Sequence, residues 1–98
     1  MLFIERIKLI ICPVVKIRDK ELLRLFGHQL RKVRTQRGMT QQALADESEL
    51  WLSQVGRIER GEVNVTLSMI AVLARTLKVD LKELVDFELP PFENQQEH

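Results

Sequence analysis

The chain is short of residues that staple, break or catalyse. Its one cysteine, Cys12, excludes an internal disulfide and a cysteine-based zinc cluster, and suits a reducing compartment such as the cytoplasm. Four glycines and three prolines among 98 residues, with no low-complexity tract, do not describe a disordered chain. The apolar N-terminal stretch has LIICPVV as its longest uncharged run, far short of the roughly 20 residues that span a bilayer. It also fails as a signal peptide, because charges interrupt it and no small-residue cleavage site follows. The two histidines, His28 and His98, have no Ser/His/Asp, Cys/His or glycine-rich phosphate-loop pattern around them. An enzyme is not expected, nor are a metal, a cofactor or a small-molecule substrate.

The composition, 45% apolar and 30% charged, is that of a single globular domain with a modest core. A formal net charge of +1 conceals an asymmetry. Residues 1–42 hold ten Lys or Arg against three acids, whereas 43–98 hold five against eleven. One end attracts a polyanion and the other repels it. The positive charge is densest in HQLRKVRTQR, residues 28–37, although a solvated helix face would look the same.

Three parts follow along the chain: a hydrophobic extension over 1–18, a helical body over 19–87 and an acidic tail over 88–98. Strand propensity is high in the extension, and Pro13 bars a continuous helix. An exposed strand invites pairing. The extension therefore pairs with the same strand of a second subunit, packs on the body, or stems from a start codon assigned too far upstream. In the body, Asp19 caps a helix over 20–37 whose Leu23, Phe26, Leu30 and Val33 form one stripe, ended by Gly38. Thr40 caps a short helix over 41–47 that buries Leu44 and Ala45. A third helix spans about 51–60, with Val55 and Ile58 inward and Gly61 as its stop. Thr66 opens a fourth over 67–79, with Leu67, Ile70, Ala74 and Leu77 on one face. Asp80 caps a fifth over 81–87, and Pro90 and Pro91 end regular structure. The period is helical throughout the body, so the expected fold class is all-α.

Two short helices crossing over a three- or four-residue turn make a helix-turn-helix. Ala45 is the small residue needed at the crossing, while Leu50, Val55 and Ile58 supply the inner face. The joint pattern RGMTQQALA, SQVGRIERG and LSMIAVLARTLKVDLKEL resembles the phage-repressor-like, or XRE-type, helix-turn-helix regulators over residues 22–87. That resemblance implies a five-helix domain, with the third helix entering the major groove of double-stranded DNA as a homodimer on a palindromic operator. Its members include repressors, activators, antitoxins and restriction-modification controllers, and the fold alone does not choose among them.

Carried over position by position, the resemblance puts base contacts at Leu52, Ser53 and Arg57. It puts phosphate contacts at Thr40, Gln41, Gln54, Arg60, Asn64 and Thr66. Helical geometry agrees in part, since 53, 56, 57 and 60 lie opposite Val55 and Ile58. Arg57 can grip guanine O6 and N7 together; Ser53 bonds several bases; Leu52 can pack on a thymine methyl. Gly56 lets the groove approach the backbone. Solvated polar residues and plain helix caps are the alternatives. Arg34 and Glu59 match a family salt bridge from the first helix to the third, or else are unrelated surface charges.

The sequence departs from the family at two places. Glu49 stands where the turn often has glycine, and strain at positive φ predicts a turn one residue longer. Trp51 and Leu52 replace polar residues at the start of the third helix. For Trp51, core packing is the first expectation, and a flat surface over the turn or against the DNA backbone is the alternative. An antitoxin-like or adaptor module that binds another protein through this fold is the competing function.

Overall fold

The computed structural model describes residues 17–91, which are all-α. The strand expected before residue 17, and the part of the acidic tail after 91, lie outside the described residues. Five helices follow in order: α1 Lys20–Gln36, α2 Gln41–Ser48, α3 Leu52–Glu59, α4 Leu67–Leu77 and α5 Leu81–Leu84.

The caps are local chemistry. Asp19 Oδ1 accepts from Leu22 N, Thr40 Oγ1 from Ala43 N and Thr66 Oγ1 from Met69 N, all at 3.0–3.1 Å. Each satisfies a backbone donor that the first helical turn leaves open. Gly38 closes α1 and Gly61 follows α3, both at positive φ. Asp80, expected as a cap, has the extended backbone of one but makes no side-chain cap bond. Helix α5 is one turn rather than the expected seven residues. Beyond Leu84 the chain turns, the Val85 N–H bonds to the Lys82 carbonyl, and Phe87 packs back against the core. A straight continuation of α5 would not make that turn.

The core unites all five helices. Leu30, Leu44, Val55, Ile58, Leu73, Leu77 and Leu84 are its fully buried members, each worth about 1.5–3 kcal/mol of transfer free energy. Leu23, Phe26, Leu30 and Val33 of α1 are buried as a stripe. On α4 the buried arc runs through Leu73, Ala74 and Leu77, with Met69 and Ile70 partly covered. Leu67, expected on that face, is 71% exposed. Seven residues before buried Ala74, Leu67 points to nearly the same side, about 20° away at roughly 100° per residue, so its exposure follows from its place in the first turn of the helix and not from its face.

Gly27 decides how closely α1 and α3 approach. A Cβ there would meet the carbonyl oxygens of Ile58 and Glu59 at 2.5 Å. The C-terminal turn of α3 therefore lies directly on the α1 backbone. Gly61 continues the contact, since a Cβ on it would lie 2.8 Å from Arg24 Cα.

Candidate nucleic-acid interface

The turn between α2 and α3 is Glu49–Leu50–Trp51. Glu49 adopts the left-handed conformation, φ 64° and ψ 24°, and its N–H bonds to the Ala45 carbonyl. The expected longer turn is thus not needed. A non-glycine residue takes the αL position at some cost in strain, which the surrounding packing offsets. Leu50 fills the core side of the turn, its N–H also bonded to the Ala45 carbonyl, at 3.1 Å.

Trp51 corrects the expectation of core packing, for it is 77% exposed. Its backbone is still extended (φ −74°, ψ 146°), so its side chain points away from the inward Leu50. Gln54 Oε1 accepts from the Trp51 N–H at 3.2 Å. That is half a capping box, because the indole has no oxygen to return the bond. With Gln42, Asp46, Glu49, Leu50 and Leu52, Trp51 borders a shallow open hollow of about 430 Å³.

Along α3, Val55, Gly56 and Ile58 are buried, whereas Leu52, Ser53 and Arg57 are exposed. The three residues expected at bases therefore share an open face. Gly56 does not join them: a Cβ on it would lie 3.1 Å from Arg60 Nη1 and 3.9 Å from Gln41 Oε1. Instead of admitting DNA to the backbone, it leaves room for the Arg60 guanidinium to fold back toward α2.

The other expected residues divide by what they already bond. Thr40 and Thr66 are caps with exposed side chains. Asn64 Nδ2 donates to the Ile17 carbonyl at 3.2 Å, and Arg18 Nη2 donates to the Glu62 carbonyl at 2.8 Å. The segment before α1 is thereby tied to the loop after α3. Gln41 uses its amide inside the protein, donating to Glu59 Oε1 at 2.9 Å.

Arg34 and Glu59 are brought together. Nε and Nη2 of Arg34 donate to the two Glu59 carboxylate oxygens at 2.6 and 3.1 Å, and Nη1 donates to the Met39 carbonyl at 2.8 Å. Their side chains are 8% and 3% exposed. Among the described residues no buried side-chain nitrogen or oxygen lacks a partner. A shielded pair with complete hydrogen bonding of this kind holds α1, the start of α2 and the end of α3 at fixed angles. Removing one partner strands the other charge.

Sequence reasoning passed over Glu62. Its carboxylate accepts from Arg60 Nε at 2.9 Å and Nη2 at 3.4 Å, and lies 3.9 Å from Arg57 Nε. The hydrogen bond from Arg60 holds this exposed carboxyl below the ordinary carboxylate range, and the charges of Arg60 and Arg57 add to the effect against slight burial. Arg60 is raised in turn by the same bond. An acid two residues beyond an arginine was the available signal, but nothing in the spacing distinguishes a clasp from two solvated charges.

A helix-turn-helix with an open third helix defines a class of DNA-reading proteins, and comparison with known proteins agrees. The family model for Helix-turn-helix (HTH_3) matches residues 30–84, and the chain belongs to that family of transcriptional regulators. It is 39% identical over 64 residues to control protein C.BamHI of Bacillus amyloliquefaciens, covering 64% of this chain and 79% of that protein. Control protein C.SmaI of Serratia marcescens is 31% identical over 73 residues, covering 74% and 87%. The crystal structure of the restriction-modification controller protein C.AhdI from Aeromonas hydrophila superposes with a TM-score of 0.62. It is 45% identical and covers 63% of this chain and 94% of that one.

Proposed function

We propose that α3 reads the major groove of an operator, with Leu52, Ser53 and Arg57 at base edges. In this reading Thr40, Gln41, Gln54, Arg60, Asn64 and Thr66 lie along the phosphates. The observation that carries it is the open face of Leu52, Ser53 and Arg57 on a helix whose other side is anchored by Val55, Ile58 and the Arg34–Glu59 pair. A reading helix must be held rigidly to place a guanidinium on two atoms of one base. Gln41 joins the phosphate set through its backbone N–H at the start of α2, because its side chain is committed to Glu59.

One such domain covers only about 600–1,000 Å² of DNA, so two copies on a two-fold site are the route to specificity. Leu81 on α5, and Val85 and Leu89 beyond its end, are exposed. They are the proposed dimer face, with residues 1–18 as the alternative. The restriction-modification controller among the relatives makes genes of such a system the first targets to test. Double-stranded DNA implies a cytoplasmic site of action.

Selection from a randomised duplex pool tests this reading. It should return two inverted half-sites whose centres lie about 34–36 Å apart, or a multiple of that. Folded protein that retains no duplex at low salt would favour an adaptor. Light scattering after removal of residues 1–17 separates the dimer faces. A dimer that persists assigns the contact to the Leu81–Leu89 segment.

A further inference from the structure

Resting on the DNA reading above, we infer that Glu62 is an affinity-determining residue of the interface: its carboxylate competes with DNA phosphate for Arg60. Carboxylate and phosphate offer a guanidinium the same planar pair of oxygens. In the free protein Glu62 supplies that pair to Arg60, and its Oε1, which accepts from Arg60 Nη2, also lies 3.9 Å from Arg57 Nε. The clasp is held in water. The side chains of Arg57, Arg60 and Glu62 are 58%, 59% and 48% exposed, so exchange of one oxyanion for another meets no packing barrier.

The place of the clasp matters as much as its chemistry. The Arg60 guanidinium reaches back over Gly56 toward Gln41, and so lies between the start of α2 and the loop carrying Asn64. Gln41 bonds Glu59 at the end of α3, and the loop begins directly after it. A phosphate arriving there meets an arginine already neutralised. For each Arg60 to contact DNA, Glu62 must give it up and then remain, unpaired, beside the phosphate backbone. Both effects weaken the sequence-independent part of binding, and neither depends on which base lies in the groove. Glu62 thus lowers the affinity for every duplex and makes binding less sensitive to salt, without altering the preferred sequence.

The test measures binding of the full chain and its Glu62→Gln variant to two duplexes across a salt series. One duplex is selected by the wild type and the other is a scramble of it. An extra unit of positive charge per subunit should steepen the slope of log K against log salt by about 0.9. Acting over the decade between 0.1 M and 1 M, that difference raises affinity at 0.1 M by about tenfold per subunit, equally on both duplexes. Glu47→Gln, at an exposed position on α2 to which no role is assigned, makes the same charge change elsewhere and should move affinity by less than about twofold. Competition also requires coupling, so Arg60→Ala should weaken binding more in the Glu62→Gln background than in the wild type.

Several results would overturn the inference. One is a Glu62→Gln chain that tracks the wild type at every salt, and another is an equal response to Glu47→Gln. Strict additivity with Arg60→Ala, or a changed sequence preference, would do so too. These leave the DNA reading standing as long as the wild type binds. A wild type that retains no duplex at low salt overturns both.

Discussion

The two ends of α3 are built by different physics. At its start, Trp51 and Leu52 project into solvent, Glu49 and Asp46 lie alongside, and no cation is near enough to form an ion pair among the described residues. At its end, the backbone rests on Gly27, the Glu59 carboxylate is buried under Arg34, and Arg57 and Arg60 share Glu62. The start presents shape and apolar surface, while the end anchors the helix and carries charge. A single eight-residue helix thus keeps its stability and most of its electrostatics at one end. Its N-terminal surface is left free to vary without loss of the fold.

If that division is right, the largest losses of stability come from the C-terminal end. Arg34→Met and Glu59→Gln should each cost about 3–5 kcal/mol in chemical denaturation, because each leaves a buried charge without its partner. The double variant should recover part of the loss. Strictly additive costs would mean that the fork does not hold the helices. Gly27→Ala comes next, at about 3 kcal/mol. The new methyl would overlap two backbone carbonyls, which cannot move away as a side-chain tip can. A cost under about 1 kcal/mol would show that α1 and α3 part easily and that the anchor lies elsewhere.

Smaller effects fall on recognition. Arg57→Ala should lose about 1–3 kcal/mol on the selected operator and flatten a guanine preference at one position per half-site. An unchanged preference in a repeated selection would pass the reading role to Leu52. The smallest change in stability belongs to the N-terminal end. Trp51→Ala should leave the denaturation midpoint almost unmoved, within about 0.5 kcal/mol. Loss of a buried tryptophan costs about 3–5 kcal/mol, so a drop of that size would place Trp51 under a cover absent from the isolated chain.

Trp51 and Gly27 show why some of this was legible and some was not. The caps Asp19, Thr40 and Thr66, the stripe Leu23–Phe26–Leu30–Val33 and the stop at Gly61 follow from chemistry within a few residues of each position. The sequence carried them without ambiguity. Trp51 was misjudged because burial of a large apolar residue depends on which neighbour takes the inward place, and here Leu50 took it. Leu67 was misplaced because a period locates a face but not the edge of the cover above it. Gly27 was overlooked, although an isolated glycine inside a helical pattern often marks a close approach. In the candidate site, the exposure of Ser53 and Arg57 was readable from helical spacing, whereas Leu52 came from the family resemblance and Gly56, which spacing put on the same face, is buried. The competing partners of Gln41 and Asn64 were not, because each lies on a different element, and Glu62, only two residues from Arg60, was not because spacing alone does not separate a clasp from two solvated charges.

What the sequence alone determined was the order of five helices and the caps at Asp19, Thr40 and Thr66, since these depend on periodicity and on hydrogen bonds between near neighbours. The tertiary structure alone decided that Arg34, Gln41 and Glu59 form one buried network and that the end of α3 lies on the backbone of Gly27. The physical reason is distance in the chain. Arg34 and Glu59 are 25 residues apart, and whether two such charges meet is set by helix crossing angles and side-chain volumes that no local pattern contains.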